Sequence, residues 1–201
     1  MARRLIVARI PVSGIGEPDM TGRTGGRTRG GDAATGEIEY WDRLRTELME
    51  ALTGAPEAGS LAGVHVFQEG LSAGGEDALE MAAEMASHGN PSYKLVLELV
   101  GRGARLQQTE DPDLLQQSHD LLREALTAPL LNDRVQAREL YQARQDELAA
   151  RRSAYIAGRV DRVLGPDESA VLVIGPAYRV EDLMPADFHV TVLPSAPPDC
   201  T

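Results

Sequence analysis

The stretch Gly63-Val64-His65-Val66-Phe67-Gln68-Glu69-Gly70-Leu71 decides the fold that we expect for this chain. Its valines and Phe67 are typical of a short strand, and a glycine stands near each end. Because predicted helices lie on both sides of it, the strand should be parallel to its neighbours and buried on both faces. Open α/β folds place their sites at the carboxyl edge of the sheet. We therefore expect Gln68 and Glu69 to reach such a site.

Four other segments have the composition of strands, and segments with helical spacing separate them. The strands are predicted at residues 5–12, 104–108, 169–174 and 188–193, and the helices at 37–52, 76–87, 93–101, from 112 onward, at 132–164 and at 180–184. This alternation predicts an α/β fold. We expect one three-layer domain over residues 1–193, with a mostly parallel five-stranded sheet and helices on both faces. Residues 194–201 form a tail.

The length, composition and net charge of the chain indicate an acidic globular protein of one domain. The chain has 201 residues, of which 42% are hydrophobic, and a net charge of −11. Residues 1–30 contain six arginines against two carboxylates, a local charge of +4, which leaves −15 elsewhere. An acidic body argues against broad nucleic-acid binding. No apolar run is long enough to span a membrane, and the first apolar segment is interpreted as a strand, so we expect a cytoplasmic protein.

Residues 14–36 form a segment rich in glycine and arginine that we interpret as a long, flexible surface loop. Eight glycines lie in it, but their spacing fits no phosphate-binding loop. One interpretation is a lid whose Arg23, Arg27 and Arg29 contact an anion. The other is a disordered insertion, and the sequence leaves both open.

Polar side chains follow several of the predicted strands. Parallel strands bring their carboxyl ends to one edge, which gathers Ser13, Asp19, Gln68, Glu69, Thr109, Glu110 and Tyr178. Arg152 and Arg159 lie on the apolar stripe of the long helix, and a guanidinium there needs an acceptor. We therefore hypothesise a cluster of Glu69 and Glu110 with these two arginines. The alternative is that the arginines extend to solvent and the glutamates cap helices.

The sequence offers little support for other chemistry. No histidine pair has metal-ligand spacing and the single cysteine is Cys200, so no metal site or other cofactor is implied. The serine-hydrolase motif G-x-S-x-G is also missing. We interpret His65 as a packed strand residue and assign no function to His119, which lies on a predicted helix.

Four segments resemble a family of uncharacterised bacterial proteins. They are Gln68-Glu69-Gly70-Leu71, the run from Gly103 through Thr109-Glu110-Asp111-Pro112 to Leu115, Arg151-Arg152-Ser153-Ala154-Tyr155-Ile156-Ala157, and Val173-Ile174-Gly175-Pro176-Ala177-Tyr178-Arg179-Val180. That family is distantly similar to the superfamily of erythromycin esterase, the haem-binding ChaN lipoproteins and TraB. The resemblance covers most of residues 5–193 except the glycine-rich loop.

The resemblance implies a hydrolase-like site with altered chemistry. Glu69 and Arg152 match the glutamate and helix arginine of the superfamily. Ser13 stands in the region of its first histidine, Ser153 stands where an aspartate is common, and Tyr178 replaces its late histidine. Losing both histidines removes the usual general base and metal or haem ligands. The chain would then either keep only a binding cleft or run a different reaction.

These observations lead to one functional prediction and one alternative. We expect a small-molecule cleft at the carboxyl edge, with Glu69, Arg152 and Tyr178 as catalytic residues and Gln68, Glu110, Arg159 and Ser13 as substrate-binding residues. Glu69 would activate water, the two arginines would hold an oxygen, and Tyr178 would donate a proton. The alternative is a non-catalytic interaction or assembly subunit that binds a partner protein or a second copy of the chain.

Overall fold

The computed structural model describes residues 2–11, 32–54, 59–127 and 131–194. Within them lies one sheet of five strands: β1 (Arg3–Arg9), β2 (Val64–Gln68), β3 (Arg105–Gln107), β4 (Ser169–Ile174) and β5 (Phe188–Leu193). The strand order is β3-β2-β4-β1-β5, and every neighbouring pair is parallel. The predicted α/β class and five-stranded sheet are confirmed. The middle strand is β4, with β2 beside it.

Five α-helices connect these strands: α1 (Asp32–Thr53), α2 (Gly75–Ser87), α3 (Pro91–Gly101), α4 (Pro112–Thr127) and α5 (Leu131–Val163). A short 3-10 turn, Glu181–Leu183, lies between β4 and β5. Among the described residues, no helix combines the length and apolar character that crossing a membrane requires.

Alternate residues of each strand face opposite sides of the sheet, and helices cover both. On one face, Ile6 and Val171 pack with Leu44 and Leu48 of α1 and with Leu99 of α3. Because the opposite face is also covered, the strands are nearly continuous apolar runs. The buried residues on that opposite face are Leu5, Val7, Phe67 and Leu172 of the sheet and Ile156 and Val160 of α5. The three predicted layers are therefore present.

Two helix starts test the predicted boundaries. The helix predicted from residue 112 onward begins there, and Asp111 caps it, because its Oδ1 accepts hydrogen bonds from the backbone N–H groups of Asp113 and Leu114. The helix predicted at 93–101 begins two residues earlier, at Pro91, and Ser92 is not its cap. Asn90 is the cap and its Oδ1 accepts from the Ser92 N–H, while Pro91 occupies the first turn, where its missing N–H costs nothing.

The first helix also differs from the prediction at its beginning. It starts at Asp32, so residues 32–36 are helical and do not belong to the loop predicted at 14–36. Ile38, in the second turn of this helix, is 63% exposed, whereas Leu44 and Leu48 are fully buried. The rest of the predicted loop, residues 14–31, and the tail from 195 lie outside the described ranges.

The connections place a crevice between β2 and β4. The chain leaves β2 through α2 and α3 and reaches β3 on one side, whereas it leaves β4 in the opposite direction toward β5. The helix α3 packs on one face of the sheet, and the 3-10 turn contacts α5 on the other. Divergent connections from neighbouring strands open a ligand-sized gap at their carboxyl ends.

We predict that Leu48→Ala destabilises the protein by about 2–5 kcal/mol, because it leaves a cavity under α1. Ile38→Ala on the same helix should change the free energy of unfolding by less than about 0.5 kcal/mol, since Ile38 is exposed. Urea denaturation measures both. Equal losses would contradict the orientation of α1.

Candidate functional site

The carboxyl ends of β1, β2 and β4 border a cavity of about 330 Å³. Strand ends, the beginning of α3 and side chains of α1, α4 and α5 contribute to its wall. The lining residues are Ile10, Pro11, Glu37, Trp41, Gln68, Glu69, Gly70, Asn90, Pro91, Ser92, Tyr93, Leu115, His119, Arg152 and Gly175. A volume of this size suits a small organic molecule.

A buried ion pair between Arg152 and Glu110 forms the floor of the site. The Arg152 Nη2–Glu110 Oε1 distance is 2.6 Å and the Nε–Oε2 distance is 3.1 Å, so the pair is bidentate. Burial lowers the pKa of Arg152, but the hydrogen bonds that its guanidinium donates to Glu110 and the surrounding negative charges outweigh that effect and raise the pKa. Arg152 therefore stays charged, and this pair confirms one half of the predicted cluster.

Glu69 is attached to the end of β4 by both its backbone and its side chain. Its backbone N–H donates to the carbonyl of Val173, and its Oε2 accepts from the Gly175 N–H at 2.7 Å. A Cβ at position 175 would lie 3.1 Å from the same Oε2, so a glycine there permits the close approach. The other carboxylate oxygen of Glu69, Oε1, is 3.9 Å from Arg152 Nη2.

The two glutamates have different surroundings. The side chain of Glu110 is fully buried, whereas that of Glu69 is 26% exposed. Burial raises the pKa of Glu69, and the hydrogen bond from the Gly175 N–H and the charge of Arg152 only partly offset this. Glu69 is thus a carboxylate that gives up hydration without gaining a close ion pair.

Tyr178 lies behind Arg152, with the guanidinium 4.8 Å from the centre of its ring. Burial and the neighbouring charge of Glu69 raise the pKa of its phenol well above the usual range, so the proton is retained at neutral pH. Arg9 fixes the loop that carries Tyr178, because its Nη1 donates to the carbonyls of Gly175 and Tyr178 and its Nη2 pairs with Glu181. Tyr178 does not belong to the cavity wall.

Gln68 connects the strand end to the start of α3. Its Nε2 donates to the carbonyl of Glu69 at 3.1 Å and to Ser92 Oγ at 3.4 Å. Its backbone N–H donates to Thr109 Oγ1, which ties β2 to the segment after β3. The amide oxygen Oε1 is buried and accepts no hydrogen bond within the described residues. An unsatisfied buried acceptor is uncommon and costly.

The structure unites most, but not all, of the predicted site residues. Gln68, Glu69 and Arg152 line the cavity, and Glu110 supports them from below. Arg159 is neither part of the wall nor paired with either glutamate, and its Nε has no hydrogen-bond partner among the described residues. The substrate-binding role of Arg159 stays a prediction. Ser13, Asp19 and the loop arginines Arg23, Arg27 and Arg29 lie outside the described ranges.

Several residues of the wall did not follow from the sequence. Trp41 packs against the core of one sheet face and also borders the cavity, and Tyr93 and Asn90 arrive with the beginning of α3. His119 reaches the rim from α4, because that helix packs along α5. The sequence Asn90-Pro91-Ser92 is the one signal for these wall residues. It marks the start of α3, directly after the helix α2 that follows β2.

No group of three or more His, Cys, Asp or Glu side chains is arranged to hold a metal ion in the described part of the chain. Comparisons with protein-family models, with curated proteins and with solved structures find no match for this chain. The resemblance to the esterase-like superfamily therefore stays a prediction.

The two glutamates should respond oppositely to amidation. Glu110→Gln should lower the free energy of unfolding at neutral pH by about 3 kcal/mol, because it leaves Arg152 buried without its full partner. Glu69→Gln should raise that free energy, since an amide keeps an acceptor for the Gly175 N–H and removes a poorly solvated charge.

The pH dependence gives the control for Glu69→Gln. A raised folded-state pKa means that ionised Glu69 destabilises the protein as pH rises through that value. The advantage of Glu69→Gln should therefore be present at neutral pH and vanish below the ordinary pKa of glutamate. Urea denaturation at several pH values measures it. A loss of stability at neutral pH would show that Glu69 is a structural ion-pair partner.

Proposed function

We propose that the protein binds a small molecule in the cavity at the carboxyl edge and that Glu69 is the residue that acts on it. The observation that carries this proposal is the position of Glu69. It is a partly exposed carboxylate with a raised pKa, fixed by a backbone N–H, in the wall of a 330 Å³ cavity. Perturbed carboxylates in clefts are candidates for function rather than for stability.

The reaction that this arrangement favours is hydrolysis, with Glu69 as general base for water. A carboxylate whose pKa is raised toward neutrality is a better base than an ordinary one, and it remains ionised above that pKa. Arg152 is first a positioning residue, because Nε and Nη2 contact Glu110, although Nη1 has only a 3.5 Å contact with Ser118. That nitrogen could still polarise a substrate oxygen, as the sequence predicts.

The proton-donor role predicted for Tyr178 also stays a proposal, and the structure offers a second candidate. Tyr178 holds its proton but lies behind Arg152, outside the wall. His119 is on the wall and reaches solvent. Histidine is the side chain that most often transfers protons in enzymes. The cytoplasmic location and the hydrolase-like class belong to the same proposal.

Hydrolysis can be tested with p-nitrophenyl acetate, followed by release of p-nitrophenolate. Glu69→Gln should lower kcat/KM by about 10²-fold, which is typical for loss of a general base. Glu80→Gln, an exposed position on α2, is the matched control and should leave the rate unchanged. Equal rates for the protein and Glu69→Gln would contradict a basic role. Only the proposal of a cleft that binds ligands without turnover would then remain.

A second candidate function is an interaction or assembly subunit, and one surface favours it. A groove between α5 and the 3-10 turn is lined by Ala149, Ala150, Ala154, Ala177 and the 49%-exposed Leu183, among others. We predict that Leu183→Glu lowers the sedimentation coefficient if a second copy of the chain occupies this groove. An unchanged monomer in both proteins would contradict self-association through it.

A further inference from the structure

The charge that a ligand would meet in the cavity is negative. The exposed fractions of the three ionised side chains decide this: 26% for Glu69, 9% for Arg152 and none for Glu110. The charges of Arg152 and Glu110 oppose each other at 2.6 Å and 3.1 Å, whereas Arg152 is 3.9 Å from Glu69. Glu69 is therefore the least compensated of the three.

The hydrogen-bond inventory also requires a donor from the ligand. Glu69 Oε1 is 3.9 Å from Arg152 Nη2, and the Glu69 carboxylate also has a side-chain hydrogen bond with Tyr178, whereas Gln68 Oε1 has no partner among the described residues. The end of β2 thus carries one buried acceptor without a donor beside a partly exposed carboxylate. A buried acceptor is satisfied only by a donor, so a ligand rich in N–H or O–H groups fits this corner.

The start of α3 also faces the cavity and could instead attract an anion. Its capping residue weakens that alternative, because Asn90 Oδ1 already accepts from the Ser92 N–H and Ser92 Oγ. An anion would in addition approach the uncompensated charge of Glu69. Trp41 Nε1 has no hydrogen-bond partner among the described residues, and Arg152 Nη1 has a 3.5 Å contact with Ser118, so both nitrogens can still donate to a neutral oxygen of the ligand.

Five residues of the remaining wall are apolar or aromatic, beside the polar residues Glu37, Asn90, Ser92 and His119. Ile10, Pro11, Leu115, Trp41 and Tyr93 line the cavity with Glu69. Aromatic faces beside a carboxylate stabilise organic cations through the ring quadrupole, by about 0.5–2 kcal/mol. A ligand with an apolar body and one positive end would match both parts of the wall.

We propose that the cavity takes a small molecule with a protonated amine, whose ammonium group pairs with Glu69 and Gln68 while its apolar body contacts Trp41 and Tyr93. This inference rests on the proposed function of the cavity, because it names the ligand class of that site. The ammonium group supplies a donor for Gln68 Oε1, and its positive charge compensates the Glu69 carboxylate.

Trp41 provides the assay, since it is the only tryptophan of the sequence and lines the cavity. The probes are benzylamine, benzyl alcohol and benzoate, which share a ring and differ in charge. Titration at neutral pH should give a saturable change in tryptophan fluorescence, with a Kd for benzylamine at least about tenfold lower than for the other two. Tighter binding of benzoate or benzyl alcohol would overturn the ammonium assignment.

The matched variants are Glu69→Gln and Glu80→Gln, which remove one negative charge inside and outside the cavity. Glu69→Gln should weaken benzylamine at least about tenfold and leave benzyl alcohol unchanged, whereas Glu80→Gln should change neither. Unchanged benzylamine affinity in Glu69→Gln overturns the pairing. If benzoate binds and benzylamine does not, the cavity remains a ligand site and only its class is wrong. No saturable response to any probe overturns the inference and the proposed binding function together.

Discussion

The bidentate bond between Arg152 and Glu110 is the interaction on which the site depends. It joins the long helix α5 to the segment after β3, two elements far apart in the sequence. A guanidinium on the inner face of a helix is costly unless a carboxylate meets it, so neither residue can be kept without the other. Once the pair exists, it supports the ring of Tyr178 on one side and borders the cavity on the other.

The same bond gives the two carboxylates of the site separate roles. Glu110 takes the two short contacts with Arg152, and Glu69, which directly follows β2, receives a weaker one. Two carboxylates placed in unlike surroundings can take unlike roles, one as a supporting group and the other as a reactive one. The backbone N–H of Gly175 then holds Glu69 at the wall without removing its charge.

The sequence predicts the sheet better than the site. The bounds predicted for β4 and β5 agree with the structure, because buried parallel strands are continuous apolar runs ended by turn residues. The pairing of Arg152 with Glu110 follows from the cost of an unpaired buried charge. Arg159 satisfies the same spacing argument but makes no such pair, since helical periodicity fixes a face of α5 and not what the neighbouring elements place opposite it. Trp41 and His119 likewise depend on how helices pack, which residue spacing alone does not determine.

The central claim is that Arg152 and Glu110 compensate each other and leave Glu69 as the reactive charge of the cavity. The most direct measurement is a carbon-detected NMR titration of the side-chain carboxyl groups. Glu69 should titrate above the usual range of a glutamate side chain, because burial raises its pKa. A Glu69 carboxyl that titrates within or below that usual range would mean that Arg152 compensates Glu69 as well, and the proposed site would lose its basis.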